Sequence, residues 1–254
     1  MIDDRIAERR ASVRDDRRRG RLRRTRWSVL LVLVVVGLVV LERSALVGLE
    51  EVEVTGVERL TADEVRAAAD LELGTSTLRL RLGEASDRVA ALPLVLVATA
   101  RRVDPLTVLI EVEERQPVLV AIGEERAVYL DREGIVIDQL AAGEVPLSPL
   151  PVITLPTAPP APGIAAEDDP TLDNAVRAWR GLSGSLRADV VTYRAAGPDE
   201  LTLVLSDGIE VRFGRAERMD EKVRALGAVL DDLGGTPIVT IDVRAPSAPV
   251  VIGR

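Results

Sequence analysis

Hydrophobic residues are grouped in one uncharged block near the start of the chain and in shorter periodic segments after it. The block covers residues 27–41, WSVLLVLVVVGLVVL, and is apolar on every side of a predicted helix. A helix of this length spans about 22 Å, less than the ~30 Å hydrocarbon core of a membrane. It crosses a membrane if it continues toward Leu49, so we predict a transmembrane signal anchor over 27–49. A cleaved signal peptide and a buried soluble helix are the alternatives.

The residues that flank the block favour the anchor. Arg24 and Arg26 are expected to reach lipid headgroups on one side, with Trp27 in the interfacial belt and Leu41 ending the apolar run. Residues 1–26 contain eleven Arg and five acidic residues, a net charge of +6, which leaves −14 on the rest of the chain. We therefore expect a basic cytoplasmic tail over 1–26 and an extracytoplasmic body. Membrane lipids are a better partner for this tail than nucleic acid, because no recognition helix or interleaved aromatic residues accompany it.

The periodic segments that follow predict a small α+β module over 50–116, in the order β-α-α-β-β. A capping box at Thr61–Glu64 opens the first helix, and Pro93 ends the second. The three strands are predicted at 51–56, 94–103 and 106–113. The first and last of these strands are expected to have free edges.

After Pro117 the strands become shorter and predict a second, mainly antiparallel β domain with flanking helices over 117–244. Its elements are predicted as strands at 118–122, 127–130 and 135–137, a helix after Asp169, a hairpin over 201–213, a helix over 219–233 and a strand at 238–244. Residues 144–170 hold eight of the fifteen Pro and predict a loop, either a linker or a segment whose residues 152–155 touch the sheet. Residues 245–254 are predicted as a C-terminal tail.

Composition removes much of the catalytic repertoire. The chain has no Cys and no His, which excludes thiolate nucleophiles, disulfides, zinc sites and imidazole chemistry. An anchored envelope hydrolase is one hypothesis, but the sequence lacks the G-x-S-x-G, S-x-x-K and H-E-x-x-H motifs. We therefore expect no enzyme activity, catalytic residue, cofactor, metal or small-molecule substrate. The single Lys, Lys222, is expected to lay its stem over the core and reach solvent.

Several short segments, in order behind one apolar block, resemble the FtsQ/DivIB family of bacterial cell-division proteins. They are Val52-x-Val54-x-Gly56, Leu71–Gly74, Leu92-Pro93, Ala98–Arg102, Ile110–Pro117, Tyr129–Gly134, Leu203–Gly214 and Ile241–Arg244. Two features depart from the family pattern: Asp104 stands where an aromatic residue is common, and the tail 245–254 contains no aromatic residue.

The resemblance implies a POTRA domain followed by the family's β domain, in a type II single-pass protein of the plasma membrane at the division septum. It also implies a non-enzymatic scaffold that binds FtsB- and FtsL-like partners outside the membrane. Through them the protein would help to regulate septal peptidoglycan synthases of the FtsW/FtsI kind. The alternative is a POTRA-bearing transport or chaperone component that adds client strands at residues 51–55 or 94–103.

The candidate partner-binding residues follow from the strand at 238–244, which we expect to be the last strand, with one edge unpaired. An unpaired edge accepts a partner strand through backbone hydrogen bonds. The alternative is an interior strand followed by a frayed tail. The candidates are Ile238, Thr240, Asp242, Arg244, Ser247, Val250 and Ile252.

Overall fold

The computed structural model describes residues 27–37, 48–141, 150–232 and 238–253. The first of these ranges is a helix, α1, whose side chains are exposed. No helix within the described ranges is both long and apolar enough to cross a membrane. Of the predicted anchor residues, Trp27 is the first described residue of α1, while Arg24, Arg26, Leu41 and the tail 1–26 lie outside the described residues.

The first module has the predicted order of two helices between three strands. Its elements are β1 (Glu51–Thr55), α2 (Ala62–Ala69), α3 (Leu82–Ala90), β2 (Val95–Arg102) and β3 (Thr107–Glu114). The sheet order is β1-β3-β2, with β1 parallel and β2 antiparallel to β3. The expectation of a free edge on the last strand is therefore wrong, because β3 lies in the middle. The two edges belong to β1 and β2.

Helix α2 begins at the predicted capping box, in which the Thr61 hydroxyl accepts from the Glu64 N–H and the Glu64 carboxylate accepts from the Thr61 N–H. The buried face of α2 carries Val65, which packs with Val89 of α3 against the inner face of β3. Alternate residues of β3, such as Ile110, fill that face. The period-two pattern in the sequence thus sets the core of this module.

The second domain is one sheet of nine strands, mostly antiparallel. The strands are β4 (Leu119–Ile122), β5 (Ala127–Leu130), β6 (Val136–Gln139), β7 (Val152–Thr154), β8 (Val190–Gly197), β9 (Glu200–Leu205), β10 (Glu210–Arg212), β11 (Ile238–Asp242) and β12 (Val250–Gly253). Their order across the sheet is β12-β11-β10-β9-β8-β7-β4-β5-β6. The sequence correctly predicts the β9–β10 hairpin but misses β8 and the helix that precedes it.

Three helices accompany this sheet, α4 (Pro170–Gly181), α5 (Gly184–Asp189) and α6 (Met219–Asp232). Helix α4 begins where predicted, because the Asp169 carboxylate accepts from two backbone N–H groups and Pro170 occupies the first turn. Its residues Leu172 and Trp179 join Tyr193 and Phe213 in the main core. Periodic apolar residues on α4 therefore cover one face of the sheet.

Two sequence alternatives are decided by strand pairing. Residues 152–155 do more than touch the sheet, because β7 pairs in parallel with both β4 and β8, and its Ile153 is fully buried. The expectation that Ile238–Arg244 forms the last strand is wrong. β12 follows it and pairs antiparallel with β11, so both edges of β11 are occupied.

The two domains meet through charged side chains and a small apolar cluster. Arg59 donates to Asp138 at 2.5 Å and lies 5.6 Å from the ring centre of Tyr129. Arg115 donates to Asp131 at 2.5 Å, and the Asp131 carboxylate is buried in a turn where it also accepts from the Ile135 N–H. Leu94 of the first module packs beside this contact, against a cluster that includes Tyr129.

Glu114, the last residue of β3, fixes the backbone that carries Arg59. Its buried carboxylate accepts hydrogen bonds from the N–H groups of Glu58, Arg59 and Leu60 at 2.9–3.1 Å. A carboxylate that satisfies three backbone donors holds the 58–60 segment in one conformation. The position of Arg59 at the domain contact thus depends on this residue.

We predict that Glu114→Ala lowers the free energy of unfolding by about 3 kcal/mol, because it leaves three backbone donors without a partner. The neighbouring exposed residue provides the control, and Glu113→Ala should change stability by less than about 0.5 kcal/mol. Denaturant titration of the full chain in detergent micelles, followed by circular dichroism, measures both. Equal stability of the two variants would contradict the assigned role of Glu114.

Candidate partner-binding edge

The outer strand of the large sheet, β12, is apolar and open. Its residues Val250, Val251 and Ile252 are 55%, 43% and 47% exposed, and the strand contains neither a charge nor a Pro. Soluble proteins usually protect such an edge with Lys, Pro, a bulge or a covering loop. Among the described residues, no backbone group hydrogen-bonds to the outer edge of β12.

The opposite edge of the same sheet is covered. The Val136 N–H in β6 donates to the Ile164 carbonyl at 2.9 Å, and the Gly163 N–H donates back to the Val136 carbonyl at 2.7 Å. A bridge between Ile135 and Ala165 continues this pairing. The segment before α4 thus satisfies the edge of β6.

Both edges of the first module are also occupied in part by side chains. The Val52 carbonyl in β1 accepts a hydrogen bond from the Arg66 side chain at 2.9 Å. The Ala100 N–H in β2 donates to the Ser86 hydroxyl of α3 at 2.8 Å. Of the four sheet edges in the described ranges, β12 alone has no such cap.

The structure brings the sequence-predicted site residues onto two neighbouring strands and the turn between them. Thr240 of β11 lies opposite Ile252 of β12, and Asp242 lies opposite Val250. Arg244 and Ser247 are exposed in the connecting turn. The backbone of Ile238 pairs with Gly253 at the other end of the ladder. The candidates therefore cluster, but the open edge among them is that of β12 and not that of β11.

An ion pair fixes the turn that leads from β11 to β12. Arg244 Nη2 donates to Asp242 Oδ2 at 2.6 Å, and the Arg244 N–H donates to the same carboxylate. Hydrogen bonding to Arg244 holds the pKa of Asp242 below its ordinary value. The stem of Arg244 lies against Gly214, whose φ of +67° and close approach leave little room for a side chain.

The segment after β10, next to this turn, is held by two buried polar side chains that sequence reasoning did not select for the site. Asn174 of α4 donates to the Gly214 carbonyl at 3.1 Å and accepts from the Ala216 N–H at 2.6 Å. Lys222 of α6 donates to the carbonyls of Phe213 and Arg215 at 2.6 and 2.7 Å. These are the only Asn and the only Lys of the chain, and this rarity is the one feature of the sequence that singles them out.

The expectation that the Lys222 amine reaches solvent is wrong. Lys222 is buried, and its amine lies 4.7 Å from the ring centre of Phe213. Burial lowers the pKa of Lys222 from its ordinary value, while the two carbonyls and the ring face stabilise the ammonium. Its role in the structure is to fasten the end of β10 to α6.

A shallow cleft of about 240 Å³ lies beside the same segment, between α4 and the β8–β9 turn. Its charged side chains pair with each other, Arg177 with Asp173 and Arg215 with both Asp199 and Glu217. The hydrogen bond from Arg215 lowers the pKa of Asp199. Within the described residues, no group of three or more His, Cys, Asp or Glu side chains could hold a metal ion.

The fold defines a class of protein: a small β-α-α-β-β module joined to a larger β sheet with one open, apolar edge strand. Comparison with known families agrees with that class. Residues 47–115 match the family described as POTRA domain, FtsQ-type, and residues 118–244 match Cell division protein FtsQ/DivIB, C-terminal. The chain belongs to the FtsQ/DivIB family of cell division proteins.

Similar proteins named cell division protein FtsQ occur in several bacteria. The chain is 32% identical to one from Mycobacteroides abscessus over 231 residues, which covers 88% of this chain and 67% of that protein. It is also 32% identical to one from Streptomyces coelicolor over 235 residues, covering 89% and 86% of the two chains. A protein from Mycobacterium leprae is 32% identical over 202 residues, and only 54% of its length is spanned.

We predict that Asn174→Ala lowers the free energy of unfolding by about 2 kcal/mol, because a buried N–H and a buried carbonyl lose their partner. Arg177→Ala, one helical turn along α4 and exposed, serves as the control and should change stability by less than about 0.5 kcal/mol. Thermal and denaturant unfolding of the full chain measure the difference. A loss that is the same for both variants would show that Asn174 does not hold the 213–216 segment.

Proposed function

We propose that the chain is a non-enzymatic, single-pass membrane scaffold of the division machinery. In this proposal residues 1–26 are cytoplasmic and the two domains lie outside the membrane. The anchor begins at Trp27 and ends before Gly48, so it is shorter than the predicted 27–49, because Gly48 and Leu49 pair with the 74–76 loop of the first domain. The β domain binds FtsB- and FtsL-like partners, and through them influences septal synthases of the FtsW/FtsI kind. Family membership supports the role in division, and the basic tail before an apolar block supports the topology.

The observation that carries the binding proposal is the open β12 edge. A partner segment in extended conformation adds to this edge as a further strand and satisfies its free N–H and C=O groups. Val250 and Ile252 project from one face of the strand and Val251 from the other. Because these side chains are apolar and exposed, the partner strand should carry β-branched or aromatic residues opposite them.

The transport or chaperone alternative requires strand addition at the first module. Its two edges are the ones where Arg66 and Ser86 already hydrogen-bond to the backbone, so an incoming strand must displace them. No displacement is needed at β12. The capping of these edges therefore favours the division scaffold, which uses the β domain, over the alternative.

We predict that the double variant Val250→Lys/Ile252→Lys binds an FtsB-like extracytoplasmic segment at least about tenfold more weakly, because Lys on an edge strand opposes pairing with an apolar strand. The matched control is Val239→Lys, an exposed Val on β11, which has both edges paired. Fluorescence anisotropy with the full chain in nanodiscs measures both affinities. Unchanged binding by the double variant would refute strand addition at β12.

We predict that a fluorescent protein fused to the N-terminus, at native expression in the source bacterium, forms a band at the division site of constricting cells. Cells that are not constricting should lack the band, because the scaffold assembles only with the division machinery. A uniform membrane signal throughout constriction would reject the scaffold and move the transport alternative to first place.

A further inference from the structure

Three exposed apolar side chains lie at one end of the POTRA domain, the end at which the chain arrives from the predicted anchor. Leu73 and Leu78 are 66% and 65% exposed, and Val103, in the turn between β2 and β3, is 46% exposed. We name these three residues the leucine face. Isolated exposed apolar residues are ordinary, but three at one end of a small domain form a patch that suits contact with another apolar phase.

The leucine face is tied to the point where the chain arrives. The Gly74 N–H donates to the Leu49 carbonyl at 2.7 Å, and the Leu49 N–H donates to the Thr75 carbonyl at 2.9 Å. Gly48 forms a bridge with Ser76 immediately beside them. The loop that carries Leu73 and Leu78 is thus paired directly with the first described residues of the domain.

The same loop is also tied to the turn that carries Val103. The Thr77 hydroxyl, which is almost fully buried, donates to the Pro105 carbonyl at 2.7 Å. Arg102, at the end of β2, donates to the Thr77 carbonyl at 2.6 Å. These bonds hold the three apolar side chains in fixed relative positions.

The loop that carries the two exposed leucines is itself packed on the domain. Leu71 and Leu80, near the two ends of the loop, pack against the core of the domain. Leu73 and Leu78 between them turn outward instead. Packing in the core of this domain therefore explains why Leu71 and Leu80 are apolar, whereas Leu73 and Leu78 have no apolar partner among the described residues.

The β domain does not compete for this face, because it contacts the opposite end of the POTRA domain. Strand β1 begins at Glu51, beside the leucine face, and leads to Arg59, which contacts Tyr129 and Asp138. Leu94, at the start of β2, packs at that far end too. The domain thus has one end for the β domain and one end toward the predicted anchor.

We propose that the leucine face docks on the outer surface of the membrane that holds the anchor, with Leu73 and Leu78 inserted at the boundary between headgroups and acyl chains. This inference depends on the anchor of the proposed function. Seven residues, 42–48, separate the apolar block from Leu49, and a chain of that length reaches at most about 25 Å. So short a tether gives the lipid surface a high effective concentration, and a small apolar contact is then sufficient.

Charges near the leucine face are of both signs. The exposed charged residues there are two basic and four acidic ones, Arg79, Arg102, Glu50, Glu51, Glu72 and Asp104. A mixed set of charges gives no net attraction to an anionic surface, so docking depends on the leucines. We therefore expect it in vesicles of phosphatidylcholine as well as in vesicles that contain phosphatidylglycerol.

The absence of Cys from the chain allows a direct test with single labels. The full chain carrying Leu73→Cys or Leu78→Cys is labelled with an environment-sensitive fluorophore and reconstituted into vesicles with and without lipids bearing an acyl-chain quencher. We expect blue-shifted emission at both positions and about twofold quenching, as for groups at the headgroup boundary. The matched control is Val97→Cys, which is 49% exposed near the start of β2, away from the leucine face, and should stay water-like.

Each other outcome overturns the proposal in a distinct way. Labels at positions 73 and 78 that match the Val97→Cys control, in protein that stays with the vesicles after an alkaline wash, would reject docking and leave the anchor intact. Protein released by the wash would reject the anchor, and docking with it. Water-like emission together with disulfide cross-linking between two copies of the unlabelled Leu73→Cys variant would identify a second copy of the chain as the occupant of the face.

Discussion

Three residues hold the large sheet together. Strand β7, Val152–Thr154, pairs in parallel with β4 on one side and β8 on the other, and without it the sheet would separate into two parts. One part, β4–β6, contacts the POTRA domain, and the other ends at the open edge of β12. With strands about 4.8 Å apart, nine strands place these two surfaces about 38 Å from each other. The contact with the POTRA domain and the open edge of β12 thus lie at opposite ends of one continuous sheet.

Of the four sheet edges among the described residues, three form hydrogen bonds with other parts of the chain and the edge of β12 does not. Arg66, Ser86 and the 163–165 segment each use hydrogen bonds to occupy an edge. Strand β12 has only its pairing with β11, and it exposes apolar side chains on both faces. An edge of this kind favours aggregation in a free protein and is safe once another strand covers it. This contrast supports recognition at β12 more strongly than the exposure of any single residue there.

Elements with a long pattern or a defined cap could be predicted from the sequence, whereas those set by distant pairing could not. The capping box of α2, the Asp169-Pro170 start of α4 and the β9–β10 hairpin all have local signals. Strand β7 has three residues, too few to show an alternating pattern of apolar and polar positions, and Pro residues surround it. The sequence predicts Val250 and Ile252 as site residues but places the free edge on β11, because nothing local indicates that the chain returns after a Pro-rich turn and forms β12. Asn174 and Lys222 act across 40 and 9 residues, a relation that sequence spacing does not reveal.

The size of the edge limits the kind of partner that can use it. Strand β12 has four residues, and alternate residues direct their backbone groups outward, so about four new hydrogen bonds can form. At about 1 kcal/mol each, these backbone hydrogen bonds alone give only millimolar affinity between molecules free in solution, and burial of the exposed Val and Ile side chains adds to it. Two proteins anchored in one membrane meet at a much higher effective concentration, which makes the same contact sufficient. If the leucine face holds the POTRA domain at a fixed height above the bilayer, the β12 edge moves only in one plane parallel to the membrane. This restricts its search for a partner strand further.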